Sequence, residues 1–377
     1  MAQQKPRKAS PAKTKRAGTA EGNVAALRSQ LERIDRELVK ALNERAKLAQ
    51  RIGSLKDRAP TAGISFADED AMVTKAIDLN KGPLPDRCIR AVMRELLGGC
   101  RSLARELRVA FLGPLYSFSH LAAIHRFGQT VELLPVLSIP AVFEEVNRGH
   151  ADFGIVPVEN STDGRIADTL DMFTRLPVRI CGEVELAIHH TLLGRCPREG
   201  VREVYSKPQA LSQCRNWLAK HLPVARPIEV TSTSTAAQLA SEKPGAAAIA
   251  SLQAGIHYGL DVLADRIEDN PGNTTRFAVI GEHSAERTGN DHTAMMFQVE
   301  HQPGALADAM NVFKRNQLNL TWIESFPIPG SKRAYLFFVE MEGHESDARI
   351  RRATEALARK TLRLEILGSA PVTSPAD

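Results

Sequence analysis

Arg108-Val-Ala-Phe-Leu-Gly-Pro114 is where the hydrophobic period of this chain changes, and its reading decides the fold. Five residues suited to a buried strand run into a Gly-Pro turn, and Ser119–Phe127 then carries a helical pattern. Downstream, strand-like runs recur at Val131–Val136, Asp152–Val158, Ile180–Leu193, Val201–Tyr205, Pro227–Ser232 and Ala246–Ala250. Helical stretches separate many of them, among them Ala141–Arg148, Pro208–Lys220 and Ala236–Glu242. Strand and helix in alternation predict a mainly parallel α/β sheet, or two, with ligands bound at the carboxyl ends of the strands. This block is placed at 108–282. After a polar linker comes a unit at 292–370, ordered Thr293–Val299, helix Ala305–Asn316, strands Leu318–Ser325 and Arg333–Met341, helix Ser346–Arg359, strand Leu362–Leu367. That β-α-β-β-α-β order predicts an α+β ferredoxin-like sandwich.

Upstream of Arg108 the pattern is all-α. Val24, Leu27, Leu31, Ile34, Leu38, Leu42, Leu48 and Ile52 alternate by threes and fours, which predicts one long helix with a coiled-coil-like seam. Further helical pattern at Asp68–Leu79 and Pro85–Leu107 completes a helical domain at 23–107. Its core is thin for one copy, so a homodimer or higher oligomer is expected.

The 377 residues are too many for one ordinary core and fit several domains. The formal charge of +5 is not spread along them: residues 1–22 hold six Lys/Arg against Glu21 alone, and the remainder carries 43 of each sign. A basic body that reads nucleic acid is therefore excluded, and the Lys- and Pro-rich segment 1–22 is expected to be a disordered tail. No apolar run is long enough to span a membrane, and nothing in 1–22 resembles a secretory signal. Five cysteines with no C-x-x-C pair argue against a disulfide framework and a zinc site, so a cytoplasmic protein without metal is expected.

Two groups of residues invite chemistry. Arg45 falls on the apolar seam of the first helix, with Lys56 about 16 Å further along nearly the same face. A guanidinium kept in a bundle, with a second cation within reach, suits a small dicarboxylate. Arg28 is about 26 Å from Arg45 and joins such a site only from an antiparallel second chain. The second group consists of uncharged hydrogen-bonders in loops at strand ends: Ser117 and Ser119; Asn160, Ser161 and Thr162; Ser206 and Gln213; Asn273, Thr274, Thr275 and Arg276. His189-His190 falls within the Ile180–Leu193 strand pattern, so one ring is expected to be packed and the other exposed.

The helical block resembles the chorismate mutase domain, on Ala26-Leu-Arg-Ser-Gln-Leu-Glu-Arg-Ile-Asp35, Asn43-Glu-Arg45 and Arg51-Ile-Gly-Ser-Leu-Lys56. The resemblance implies that Arg45, Lys56 and Arg28 of a second copy hold the carboxylates and ether oxygen of chorismate. Departures follow: Ser65-Phe-Ala-Asp-Glu-Asp-Ala71 lacks the family's arginine, and Cys100 and Ala104 stand where it carries a Ser/Gln pair. Mutase activity is thereby left open.

The central block resembles prephenate dehydratase. Gly113-Pro-Leu-Tyr-Ser-Phe-Ser-His-Leu-Ala-Ala123, Val156-Pro-Val-Glu-Asn-Ser-Thr-Asp-Gly164, Val204-Tyr-Ser-Lys-Pro-Gln209, Gln213-Cys214 and Asn273-Thr-Thr-Arg-Phe277 look like its successive motifs. The resemblance implies two lobes arranged like a periplasmic binding protein, with prephenate in the cleft and no cofactor. It makes Thr275 the donor to the departing hydroxyl, while Ser117, Asn160, Ser161, Ser206 and Gln213 orient the substrate. Arg276 either pairs a carboxylate or forms a structural ion pair. Tyr116 stands where the family has glycine. Arogenate dehydratase and a non-catalytic amino-acid-binding regulator are the alternatives.

In the last block, Gln302-Pro-Gly-Ala-Leu-Ala-Asp-Ala309 and Ile323-Glu-Ser-Phe-Pro327 resemble the signature loops of the ACT domain. This implies phenylalanine as effector at a dimer interface, near Gly304, Ala305, Leu306, Glu324 and Ser325. Phe326 replaces the family's arginine, which predicts weakened feedback.

Overall fold

The computed structural model describes residues 14–55, 66–103, 106–328 and 334–373. The chain divides into two compact units, Met1–Leu55 and Lys56–Asp377.

The described residues of the first unit form one helix, α1 (Thr14–Leu55), about 63 Å long at 1.5 Å per residue; residues 1–13 lie outside the described residues. It opens inside the segment 1–22, which was expected to be a disordered tail. Lys15, Arg16, Ala17, Ala20 and Glu21 are good helix formers, and lengthening a nucleated helix adds a hydrogen bond for each residue fixed. The predicted seam is present on α1. Leu27, Leu31, Ile34, Leu38, Leu48 and Ile52 are each more than half exposed in the single chain.

The helical pattern expected at 23–107 is shared between the two units. Helices α2 (Phe66–Asp78) and α3 (Asp86–Ser102) belong with the α/β body. Phe66 is buried and meets Phe127 edge-on at 5.8 Å and Phe153 at 5.4 Å. Arg126 pairs with Asp70 at 2.8 Å and lies over the Phe66 ring, Arg101 pairs with Glu69, and Arg101 also donates to the Phe127 carbonyl. Burial of large aromatic rings fixes this hairpin to its neighbours.

The first lobe contains β1 (Arg108–Leu112), α4 (Phe118–Phe127), β2 (Glu132–Val136), α5 (Ile139–Asn147), β3 (Phe153–Asn160), β4 (Gly164–Arg165), α6 (Ala167–Phe173) and β5 (Arg179–Ala187). The chain crosses to the second lobe for β6 (Thr191–Gly194), β7 (Glu203–Ser206), α7 (Pro208–Gln213), α8 (Arg215–His221), β8 (Arg226–Glu229), α9 (Thr233–Glu242), β9 (Ala246–Ala250), α10 (Leu252–Tyr258) and β10 (Asp261–Ala264). It then returns to the first as β11 (Thr274–Gly281), which lies antiparallel between β3 and β5. The second lobe's sheet is ordered β10-β6-β9-β7-β8.

Between β5 and β6 the pattern expected to be one strand, Ile180–Leu193, is broken. Ile188 and His190 occupy the crossover, where the Ile188 amide donates to the Asn273 carbonyl and the His190 carbonyl accepts from Ile267. Backbone groups that pair with the returning crossover are unavailable to either sheet.

The last block is β12 (Asp291–Gln298), α11 (Ala305–Arg315), β13 (Leu320–Pro327), β14 (Tyr335–Glu342), α12 (Ala348–Ala358) and β15 (Arg363–Pro371). Its strands are ordered β13-β14-β12-β15. Both helices cover the face bearing Met295, Phe297, Val339 and Met341, while Ala294, Met296 and Phe338 join the core of the first lobe. The two sheets are continuous, because β15 meets β5 at Gly368 and Ile180. A Cβ at Gly368 would stand 2.1 Å from the Ile180 oxygen, so only glycine permits this approach.

Candidate active site

The site begins with a register. Asn160, last residue of β3, is paired with Thr275 near the start of β11. Asn160 Nδ2 donates to Thr275 Oγ1 at 2.8 Å and to Asn273 Oδ1 at 3.1 Å. Asn160 Oδ1 accepts the backbone N–H groups of Thr162 and Asp163, each at 3.0 Å, which closes the turn that follows. Asn273 Nδ2 donates to Gln213 Oε1 at 3.1 Å, and Gln213 Nε2 donates to Asp163 Oδ2 at 3.1 Å. The amides therefore all have defined senses. Since Thr275 Oγ1 already accepts from Asn160, its own proton is free to be donated.

His190 completes this network from the crossover. Its Nε2 lies 2.9 Å from Gln213 Oε1, and an amide oxygen only accepts, so Nε2 carries the proton. Burial lowers the His190 pKa, which keeps the ring neutral. His190 is packed as expected, whereas His189, expected to be exposed, is half-buried and bonded to Glu268 at 2.8 Å, and neither residue lies on a strand.

Asn160, Asp163, His190, Gln213 and Thr275 line a cleft of about 910 Å³ between the lobes. Two ten-residue helices begin at it from opposite sides, α4 capped by Ser117 and α9 capped by Ser232. Helix N-termini carry partial positive charge, so the cleft suits an anion. The loop before α4 is fastened to the second lobe, with Ser234 donating to the Leu115 carbonyl at 2.7 Å and Ser251 to the Tyr116 carbonyl at 3.0 Å. Tyr116 adopts φ 65°, the left-handed conformation that glycine enters freely, and its ring stacks on His257 at 4.1 Å. The backbone shape of a glycine is thus retained by a tyrosine.

Among the sequence candidates, Ser117, Ser119, Asn160, Gln213 and Thr275 line the cleft. Thr162, Asn273 and Thr274 stand outside its lining, and three others are engaged elsewhere. Ser206 is fully buried and donates to the Ile249 carbonyl at 2.6 Å, because at the end of β7 its side chain faces β9. Ser161 is exposed outside the cleft and accepts from the Thr274 amide at 2.9 Å, clamping the turn before β11. Arg276 follows Thr275 on the strand and so points to the opposite face. It pairs there with Glu159 at 3.2 Å, Glu183 at 2.8 Å and Glu340 at 2.9 Å, with Trp322 5.5 Å away. Burial opposes its charge, but Glu183 and Glu340 more than compensate and push its pKa upward. Its guanidinium is the hub of this ion cluster.

The same hub contains the one grouping of metal-type ligands found among the described residues, Glu183, His292 and Glu340. The guanidinium lies at hydrogen-bond distance from both carboxylates, which fills the place a cation would take.

Sequence reasoning overlooked several residues of the cleft wall: Thr231–Thr233, Thr235, His190, Asp163 and Lys207. One signal was available. Thr231-Ser-Thr-Ser-Thr235 is a run of five hydroxyl residues at a strand-to-helix turn.

Arg28 and Arg45 both lie on α1 and are too far apart along it to share one site within a chain. Lys56 and Ala104 lie outside the described residues, and Cys100 is buried on α3. Gly304 precedes α11 at φ 88°, and Ala305 and Leu306 open that helix. Glu324 and Ser325 lie on β13, where Arg165 Nη1 reaches the Glu324 carboxylate at 2.9 Å and the Ser325 carbonyl at 2.6 Å. No hydrogen bond or ion pair among the described residues joins these two groups.

Comparison with known proteins agrees with this geometry. The family described as Prephenate dehydratase matches residues 109–285, and Chorismate mutase type II matches 27–105. A bifunctional chorismate mutase/prephenate dehydratase from Aquifex aeolicus (strain VF5) is 42% identical over 350 residues, covering 92% of this chain and 97% of its own. Prephenate dehydratase from Arthrobacter aurescens, solved with L-Phe, is 31% identical with a TM-score of 0.66, over 71% of this chain and 90% of its own. A quorum-quenching acylase, GqqA, matches at 28% identity and TM-score 0.65, over 71% and 98%. The shared architecture alone therefore does not fix a reaction, whereas identity along nearly the whole chain does.

A two-lobed α/β enzyme with a polar cleft between its lobes is the class that fold and site define. The chain belongs to the family of bifunctional chorismate mutase/prephenate dehydratases. It is a prephenate dehydratase of phenylalanine biosynthesis that also carries a chorismate mutase domain.

Proposed function

We propose that Thr275 donates its free hydroxyl proton, as a hydrogen bond, to the ring hydroxyl of prephenate as that group leaves. The C–C bond to the ring carboxylate breaks, its electron pair enters the ring, and CO₂ departs. The C–O bond breaks with its electron pair leaving on oxygen, and the departing hydroxide takes up one proton supplied by bulk solvent and relayed at Thr275, so that it leaves as water. Phenylpyruvate remains. Aromatisation supplies much of the driving force, so a donor held at the right point is the main chemical requirement. The 2.8 Å bond from Asn160 to Thr275 carries this reading, because it fixes which way the threonine proton can go. Gln213 and Ser117 support substrate orientation from the two lobes.

Thr275→Ala should lower kcat for phenylpyruvate formation by about a hundredfold or more, and Thr275→Ser should recover part of it. Equal rates for wild type and Thr275→Ala would remove the mechanism. Turnover by the wild type would also dispose of the non-catalytic alternative.

The last block functions as an ACT domain of ferredoxin-like fold that binds phenylalanine between two copies. Arg165 supports this, since it ties Glu324 and Ser325 to the strand that follows the Asn160 turn. Chorismate binds between two copies of the helical region through Arg45, Lys56 and the second copy's Arg28. The exposed α1 seam supports such pairing. Arg45→Ala should abolish chorismate loss and leave the dehydratase active.

A further inference from the structure

Among the described residues lining the cleft, Lys207 is the only lysine or arginine. It is exposed, and among the described residues no hydrogen bond or ion pair engages its ammonium group. Asp163, the one acidic residue of the lining, is held by Gln213 beside the Asn160–Thr275 pair. The cleft therefore has a charge polarity: negative near the hydroxyl donor and positive at Lys207. Helix α7 spans the two, with Lys207 at its N-cap and Gln213 as its last residue, about 9 Å apart along the axis.

Taking the dehydratase reading as given, the substrate's chemistry chooses which end goes where. Its ring carboxylate becomes neutral CO₂, and a strong ion pair to it would stabilise the ground state more than the transition state. The side-chain carboxylate keeps its charge throughout and can be gripped without penalty to the rate. From the ring hydroxyl across the ring to that carboxylate is of order 8 Å on ordinary bond lengths, close to the span from Gln213 to Lys207.

We propose that Lys207 binds the side-chain carboxylate of prephenate and selects the keto acid over its amino-acid analogue, arogenate. The two substrates differ only beside that carboxylate, where a neutral ketone in one is an ammonium in the other. A lysine at that end attracts the net charge of the keto-acid side chain and repels the ammonium.

The test compares full-length wild type, Lys207→Gln and Lys207→Arg in phenylpyruvate formation from prephenate and phenylalanine formation from arogenate. Lys207→Gln should raise KM for prephenate about tenfold with kcat within about threefold, the pattern of lost uniform binding. The prephenate-to-arogenate ratio of kcat/KM should fall by about the same factor, while Lys207→Arg stays near wild type. Phenylpyruvate retains the same carboxylate, so its inhibition constant should weaken in parallel in Lys207→Gln. Unchanged KM, substrate ratio and product inhibition in an active Lys207→Gln enzyme would overturn the assignment. A loss confined to kcat would also overturn it. A wild type that makes no phenylpyruvate would instead remove the dehydratase reading beneath it.

Discussion

Replacing Arg276 by methionine withdraws a guanidinium from between Glu159, Glu183 and Glu340 while keeping most of the side chain's volume. Glu183 and Glu340 are the partners that matter, with side chains only 12% and 4% exposed. Uncompensated, two buried carboxylates face one another with His292 as their remaining cation. Breaking a buried pair in this way destabilises by about 3–5 kcal/mol, or roughly two to four orders of magnitude in the folding equilibrium. Glu159 is the control. Its contact is 3.2 Å, its side chain is about a third exposed, and Glu159→Gln should cost no more than about 1 kcal/mol. Urea unfolding followed by far-ultraviolet circular dichroism measures both. A substrate-binding arginine would behave in the opposite way. Arg276→Met with wild-type stability and a hundredfold higher KM for prephenate would refute the structural assignment.

His292 lies 3.0 Å from Glu183; burial works against its charge, but Glu183 and then Glu340 raise its pKa above the ordinary imidazole range. Its stabilisation is therefore complete below about pH 6.5 and is lost as pH rises through the raised folded value. Glu340, pushed up by burial and by Glu183, loses stability in the same direction, so the advantage of wild type over His292→Gln should be larger at pH 6 than at pH 9 in urea titrations. Phe66→Ala should destabilise the α/β unit by about 3–5 kcal/mol; a change under about 1 kcal/mol would mean that the α2–α3 hairpin is not part of that core. Arg165→Ala should leave uninhibited phenylpyruvate formation within about threefold and reduce inhibition by phenylalanine, and inhibition indistinguishable from wild type would remove Arg165 as the link.

The chain's local periodicities determined its block order. The threefold and fourfold spacing from Val24 to Ile52, the strand entering at Arg108 and the β-α-β-β-α-β order after residue 290 are short-range patterns, and short-range patterns persist in the folded protein. Asn160, Gln213 and Thr275 were legible for a related reason: uncharged polar residues gathered at strand ends have few uses other than turns and ligands. What the sequence left open was which side of a strand faces the cleft. Thr275 and Arg276 are neighbours in sequence and work on opposite faces of β11, one in the cleft and one in an ion cluster with Glu340. Ser206 shares the polar character of Asn160, yet its hydroxyl is spent on the Ile249 carbonyl. His190 and Lys207 join the cleft wall only through the crossover between lobes and the placement of α7. Likewise, α2 and α3 carry a helical pattern indistinguishable in kind from that of α1, and the burial of Phe66 beside Phe127 and Phe153 assigns them to the α/β unit. Side-chain direction alternates every residue along a strand, so a face is decided by pairings dozens of residues away, which no local window contains.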